Sequence, residues 1–596
     1  VDRLRGGAPA PSQPPSDVDG LLAAAAARHQ AGDAAGALAS YRAVLDRQPD
    51  QPVALHLLGL ALAQLGRAEA GLPFLRRAVE VAPGYAAAQS NLGNVLQTLG
   101  RAAEAEGHYR LALDAEPDRP DVLTNLGNAL LAQGRAAEAA ACQERALQLA
   151  PDLTAAASNL GTALLALDRP AAAIDAFRRA LGGTLLPREV PDTQDPVVID
   201  ALCGLGEALR RAGDIFAGPP WLERAVALAP DQATAWNNRG RCLNDAGRYA
   251  AAGDSYARAI ELDPALATAR FNRGLVDLQL GTLDRGWQGY AWRFAAEDKG
   301  TAPRFDRPAW RGESLAGRTL RVWHEQGLGD ELLFASLYSA LAARAADQGA
   351  TAVLVECDPR LAGLLERSFP TLRFLSRPRR QGAAALEPAG ADFVAAAGDL
   401  AALLAPTLAN FARDGTAAGY LLPDPVRVAH WRDRLAELAS GPALVVGIAW
   451  RSGQLSTERS RAYSTLAQWR SILSLPGVTA VSLHYQPAAE EIAALERDHG
   501  LTVHRFADAD LRDDLETAAA LTAACDLVIG AATAVGEMAG AVGTPCWRFA
   551  SRDWTTLGTP VRPWFPSHRL FALEKYQLEP QLALEAMAMQ LQRLMQ

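Results

Sequence analysis

The sequence predicts an α + α/β chain: an all-α superhelix of short repeats, then two α/β halves built on parallel sheets. Two observations predict it. Glycine, alanine and proline recur every 34 residues through the first half, as in stacked helical hairpins. The second half alternates short continuous apolar runs with helical segments, the pattern of strands buried on both faces of a parallel sheet.

Composition narrows the function. Of the 596 residues, 49% are hydrophobic and 21% charged, an ordinary balance for a folded soluble chain. Lys and Arg number 58 against 67 Asp and Glu, a net charge of −9, which argues against a nucleic-acid or anionic-membrane binder. No apolar run approaches the ~18 residues of a membrane span, and no basic-then-apolar signal pattern opens the chain. Six scattered cysteines without a CxxC pair read as reduced thiols, so the expected location is the cytoplasm. The nine histidines form no HExxH, and no metal is expected. Residues 1–16, proline-rich and patternless, are expected to be disordered.

The repeat array comes first. Gly59, Gly93, Gly127 and Gly161 stand 34 apart, and Gly206, Gly240 and Gly274 resume the period. A second series stands seven residues later: Gly66, Gly100, Gly134, then Gly213, Gly247 and Gly281, with Asp168 as its fifth member. Ala78, Ala112, Ala146, Ala180, Ala225 and Ala259 keep the period, as do Pro49, Pro83, Pro117, Pro151, Pro230 and Pro264. The clearest copy reads Trp236, Gly240, Gly247, Tyr249, Ala252, Tyr256, Ala259, Pro264. Gly240 and Ala252 let two helices approach closely, Gly247 supplies a left-handed turn, and the proline ends the second helix. This resembles the tetratricopeptide repeat. With a degenerate first copy, about eight repeats are expected over 17–298. The fifth-to-sixth spacing is 45 instead of 34, which predicts a loop inserted at 182–196.

Two residues before each first-series glycine stand Asn91, Asn125, Asn159, Gly204, Asn238 and Asn272. An amide donates and accepts at once, so a ladder of asparagines in a solenoid groove suits a peptide backbone of any sequence. The alternative is a row of solvated polar positions. Protein O-GlcNAc transferases resemble this chain in carrying such a ladder.

The aromatic stretch Gly286–Arg293 reads as a cap packed on the next domain, and 299–318 as a linker. Strands are then expected at Thr319–His324, Thr351–Glu356, Leu372–Leu375 and Ala391–Ala396, with a helix from Asp330 to about Ala346. A connecting helix is expected over Asp424–Ala439. A second series of strands is expected at Ala443–Trp450, Thr479–Leu483, Thr502–Phe506, Asp526–Ile529 and Cys546–Phe549. The two series, 319–440 and 441–596, read as two Rossmann-like domains facing one cleft.

Three segments carry the chemistry. Glu325-Gln326-Gly327-Leu328-Gly329-Asp330-Glu331 is a strand-to-helix loop without the third glycine of a dinucleotide fingerprint. Asp330 reads either as a helix cap or as a base for an acceptor hydroxyl, with His324, Glu325 and Glu331 beside it. Gly447–Gly453 ends a strand in Arg451 and Ser452, with Arg459 and Arg461 near; these suit a phosphate, or are ordinary surface groups. Ile529–Pro545 runs from a strand into a Gly/Ala-rich helix whose free amides suit an anion, although small residues also serve tight packing. Asp508-Ala509-Asp510 reads as a loop and capping run rather than a metal site.

These segments, in this order, resemble GT-B glycosyltransferases related to the heptosyltransferases. The resemblance implies a GT-B fold, a metal-independent inverting transfer, Asp330 as the base, and Arg451, Ser452, Thr533 and Ala534 on the donor nucleotide. Gln326, Gly327, Gly329, Gly453 and Glu537 are expected to line the same donor site. The chain departs from that family at Arg451, where Lys is usual, and at Ala532 and Glu537, where Asp and His are usual; ADP-heptose is therefore not the expected donor. The whole layout resembles the flagellin glycosyltransferases of the FlmG type. That resemblance implies flagellin as the partner held by Asn91, Asn125, Asn159, Asn238 and Asn272. It also implies transfer of a nonulosonic acid such as pseudaminic acid from its CMP form to Ser or Thr, with no cofactor besides this donor. The alternatives are a UDP-sugar protein transferase, lipid-linked saccharide synthesis, or a non-catalytic flagellin scaffold.

Overall fold

The computed structural model describes residues 18–296, 306–325, 327–378, 390–411, 419–438, 443–452, 462–486, 488–573 and 579–596. The disorder expected for 1–16 lies outside them. Among the described residues no helix is long and apolar enough to cross a membrane.

Sixteen α-helices lie between Val18 and Tyr290. They pack in succession, Pro52–Gln64 on Ala68–Val81 and Ala86–Thr98 on Ala102–Ala115 among them. The turn glycines of the second series are left-handed, with φ of +75° at Gly66 and +73° at Gly100. Asp168 takes the same conformation at φ +54°, which aspartate tolerates better than most residues, and its carboxylate accepts from Arg211 at 2.9 Å. The insertion carries a short turn at Pro187–Glu189, and Arg224 pairs with Asp192 at 2.8 Å.

The chain forms two compact units, 1–212 with 220–229, and 213–219 with 230–596. The second therefore begins well before the expected linker at 299–318. Its last repeat helices, Ala267–Gln279 and Leu283–Tyr290, supply Phe271, Trp287 and Tyr290 to the core that also holds Leu320, Phe334 and Trp564. The expected cap is thus part of this unit's interior. The described part of the linker is packed as well: Trp310 is buried, and its backbone N–H donates to the Val394 carbonyl at 2.7 Å.

Two sheets complete this unit, both wholly parallel. The first contains β1 (Thr319–Trp323), β2 (Ala352–Cys357), β3 (Arg373–Ser376) and β4 (Phe393–Ala396) in the order β3-β2-β1-β4. Leu320 faces Val353 on one side and Phe393 on the other. The second contains β5 (Leu444–Ala449), β6 (Val478–Ser482), β7 (Leu527–Ala531), β8 (Cys546–Ala550) and β9 (His568–Ala572) in the order β6-β5-β7-β8-β9. The connecting helix spans Pro425–Ala436, capped by Asp424.

Three local expectations change. Thr502–Phe506 is not a strand: only His504 bridges Val481 before a turn at Ala507–Asp508. The helix from Asp330 is two helices, Leu328–Ala335 and Tyr338–Asp347, because the Ser336 and Leu337 amides bond three residues back, to Leu333 and Phe334. β9 is an edge strand the alternating pattern did not suggest.

Candidate functional site

Ligands of open parallel sheets lie beyond the carboxyl ends of the strands, where the strand order reverses. Here the reversals fall between β1 and β4 and between β5 and β7. The segments leaving β1, β5, β6 and β7 converge on one cavity of about 1030 Å³.

Gly327, Gly329, Asp330, Ser452, Thr533, Ala534 and Glu537 all line it, so the structure brings together three segments far apart in sequence. The approach is close. A Cβ placed on Gly329 would stand 3.4 Å from Glu537 Cγ and 3.8 Å from Ala534 Cα. The helix carrying Asp330 therefore lies directly against the Ala534–Val542 helix. Gln326, Gly453, Arg459 and Arg461 lie outside the described residues.

Asp330 sits in the first turn of Leu328–Ala335, and its Oδ2 accepts from the Gly327 amide at 3.2 Å. It is a capping group and a cavity group at once. Its neighbours are otherwise engaged. Both Glu325 oxygens are held by Arg293, at 2.7 and 2.9 Å, and Glu331 Oε1 accepts from the Asp358 amide at 2.8 Å.

The Arg451 guanidinium pairs with Glu491. Burial works against the charge of Glu491, but hydrogen bonds from Arg451 and Trp450 outweigh it and hold the carboxyl below its ordinary range. Ser452, next along, does line the cavity and meets the Tyr485 hydroxyl at 3.0 Å.

Glu537 lines the cavity and also carries an ion-pair network. Its carboxylate is buried and accepts from Arg548 at 2.7 Å and from Arg562 at 2.9 Å. Both arginines line the cavity, and neither was singled out in the sequence. For Arg548 a signal existed: a charge in the middle of the fully buried strand Cys546–Ala550 needs a partner. For Arg562 there was none. His568 lies beside them, donating to the Gly536 carbonyl at 2.9 Å; burial, then the charges of Arg562 and Arg548, keep it neutral far below its ordinary pKa.

Two buried atoms at the cavity have no hydrogen-bond partner among the described residues: Thr533 Oγ1 and Arg548 Nε. Thr533 is the N-cap residue of Ala534–Val542, yet its side chain makes no capping bond. An orphaned hydroxyl and guanidinium nitrogen at a helix N-terminus fit an anion such as a nucleotide phosphate. Asp508 and Asp510 have structural work: Asp508 pairs with Arg434 at 2.6 Å, and Asp510 accepts from the Arg512 and Asp513 amides at 3.0 and 2.9 Å.

The asparagines fall in both units, each half-buried. In the first, Asn125 donates to Asn94 Oδ1 at 2.9 Å, Asn94 donates to Asn91 Oδ1 at 3.4 Å, and Asn91 donates to His56 Nε2 at 2.7 Å. In the second, Asn272 donates to Asn237 Oδ1 at 3.2 Å, beside Asn238. Part of the ladder's capacity thus joins repeat to repeat, and Asn94 and Asn237 were missed. Gly204 interrupts the ladder for a steric reason: a Cβ there would stand 2.3 Å from the Phe177 ring.

Comparison with known proteins agrees with the helical half. Tetratricopeptide repeat models match residues 118–183, and residues 22–88, 56–121 and 203–267. Protein FlbA of Caulobacter vibrioides (strain ATCC 19089 / CIP 103742 / CB 15) is 35% identical over 386 residues, which is 62% of this chain and 63% of FlbA. The chain thus spans somewhat less than two thirds of the length of that relative. Among solved structures, the APC/C hetero-tetramer Cut9–Hcn1 is 16% identical with a TM-score of 0.37, covering 44% of this chain and 50% of that one. A tetratricopeptide repeat protein from Parabacteroides merdae ATCC 43184 is 14% identical with a TM-score of 0.35, covering 43% and 97%. The first half of the chain is therefore an array of tetratricopeptide repeats, followed by a region of parallel sheets.

Proposed function

We propose that the two sheets form a GT-B-type glycosyltransferase and that the chain is a protein O-glycosyltransferase. Its repeats hold flagellin, and it transfers a nonulosonic acid from a CMP donor to Ser or Thr. The observation that carries the enzymatic reading is the meeting of Asp330 with the start of the Ala534–Val542 helix on one cavity. A base and an anion cradle on one cavity suit a single displacement. The sugar and the protein acceptor rest on the resemblance of the motifs.

In this reading the acceptor hydroxyl enters beside Asp330, which takes its proton as the oxygen attacks the anomeric carbon. The bond from that carbon to the CMP phosphate oxygen breaks, and configuration inverts. Charge growing on the phosphate meets Thr533, the helix amides and Arg548. Repeat binding supplies proximity.

Calorimetric titration of CMP, UDP, ADP and GDP into the full-length protein tests this, followed by transfer to flagellin from the matching sugar nucleotide. Selective binding of CMP is expected. Selectivity for UDP or ADP would keep the reaction class and replace the donor. Binding of none would favour a scaffold.

A further inference from the structure

Arg293 closes the last repeat, in the short turn Ala291–Phe294 after helix Leu283–Tyr290. Its side chain is 0% exposed, and that of Glu325 is 2% exposed. The two guanidinium nitrogens Nε and Nη2 donate to the two oxygens of Glu325, a planar fork on a planar carboxylate. Arg293 also reaches Asp399 at 2.8 Å, and Glu325 also accepts from the Gly398 amide at 2.6 Å. The rings of Tyr290 and Phe294 lie 4.7 and 4.2 Å from the guanidinium. Every group around this pair is thus arranged to hold one carboxylate in one place.

That carboxylate is on the cavity wall. Glu325 leaves β1 and lines the same cavity as Asp330. A buried ion pair of this kind contributes little net stability, since apolar groups of equal volume hold a core as well. What a bidentate pair adds is geometry.

We propose that Arg293 is a positioning residue. From the end of the eighth repeat it clamps Glu325 and so sets the place of the Leu328–Ala335 helix and its Asp330. The last repeat is then a working part of the site rather than a spacer. The inference rests on the reading of Asp330 as the base, and its test separates the two.

The test compares full-length R293K, R293M, D330N and R293M/D330N with the parent chain. The first readout is hydrogen exchange of the Leu328–Ala335 amides, which needs no substrate. R293M is expected to speed their exchange about tenfold while the β5–β9 sheet keeps its protection, and R293K to do so less. The second readout is transfer. R293M is expected to lower kcat at least tenfold with the donor KM within about twofold, and R293K to recover part of the loss. R293M/D330N is expected to be no slower than D330N alone, because the arginine acts through the carboxylate. Unchanged exchange in R293M and R293K overturns the proposal, whatever the activity. So does normal kcat in R293M when D330N is inactive, and so does a further loss in the double variant. Full transfer by D330N would instead remove Asp330 as the base, leaving the exchange readout to decide whether Arg293 holds the helix. Should R293M fail to fold, R293K carries both readouts.

Discussion

Arg548 Nη1 donates to Glu537 Oε1 at 2.7 Å, while Arg562 takes the other oxygen of the same carboxylate at 2.9 Å. No side chain of the three is more than 10% exposed. One carboxylate thus neutralises two buried guanidiniums beside the cavity, with Asp553 3.4 Å from Arg548. Removing Glu537 leaves two largely buried charges short of their main partner. Glu537→Ala should lower the stability of the second unit by about 3–5 kcal/mol in denaturant titration. Glu537→Gln should cost less, because the amide oxygen still accepts from one arginine. Equal midpoints for parent and Glu537→Ala would show that the arginines find other partners.

Asp330 offers a cleaner separation of folding from chemistry. Its contact with the Gly327 amide is long, at 3.2 Å, and an amide oxygen can replace it. Asp330→Asn should therefore melt within a few degrees of the parent and bind nucleotide with unchanged affinity. Transfer should fall about 10²- to 10⁴-fold, the usual worth of a general base. Retained transfer would assign the proton to another group.

Thr533 and Arg548 can be probed by what they lack. A buried hydroxyl without a partner among the described residues costs free energy. Thr533→Val removes that cost and keeps the shape. It should leave thermal stability equal or slightly raised while weakening nucleotide binding by about 0.5–1.5 kcal/mol. Weaker folding together with unchanged binding would show that the hydroxyl has a structural partner instead.

The strands were legible because both sheets are wholly parallel and their central strands are buried, so the apolar runs are continuous, as in Leu444–Ala449. Asp168 was legible as a turn because its place in the period was known before its identity. What escaped reading was of two kinds. Thr502–Phe506 has strand composition, but pairing depends on a neighbour, and only His504 reaches one. Arg451 was singled out, but its partner Glu491 stands 40 residues on, where no local pattern finds it. The segments of the site could be found from their glycines. The ion pairs that hold them, Arg293 with Glu325 and Arg548 with Glu537, join positions no local pattern connects.

The asparagine network makes the first unit sensitive to acid. His56 accepts from Asn91 at Nε2 and faces the Tyr85 hydroxyl at Nδ1, 3.0 Å away, so it is neutral. Burial, and then the nearby charge of His29, push its pKa down from 6.5 to about 4. The unfolded chain therefore binds a proton more readily than the folded one between those values. Stability from this site is complete above about pH 6.5 and is lost as pH falls toward about 4. Protonation would also set two donors against each other at Asn91 and turn its amide, disturbing Asn94 and Asn125. The melting temperature of the parent should fall across that interval, and His56→Asn should show a shallower fall. Parallel curves would place the acid-sensitive groups elsewhere.

The boundary between the compact units leads to a truncation experiment. Trp287 is 5% exposed, and its ring lies 6.3 Å from Trp554 and 6.4 Å from Trp564. Tyr290 lies 5.2 Å from Trp554, and Gln279 donates to the Arg552 carbonyl at 2.8 Å. The last repeat thus fills the interior beneath the cavity. A fragment of residues 230–596 keeps all of these contacts. A fragment starting at 299, where the sequence places the end of the repeats, loses the Trp287 and Tyr290 rings and strands Glu325 without Arg293. Loss of a buried aromatic costs about 3–5 kcal/mol, and two such rings are lost. Together these approach the whole stability of an ordinary domain, about 5–15 kcal/mol. The 230–596 fragment should therefore be monomeric, melt cooperatively and bind nucleotide like the full chain. It should bind acceptor more weakly, for it lacks Asn91, Asn125 and Asn159. The 299–596 fragment should aggregate or lack a cooperative transition by circular dichroism. If it instead folds and binds nucleotide as tightly as the longer one, the eighth repeat is only a spacer, and the clamp on Glu325 is dispensable.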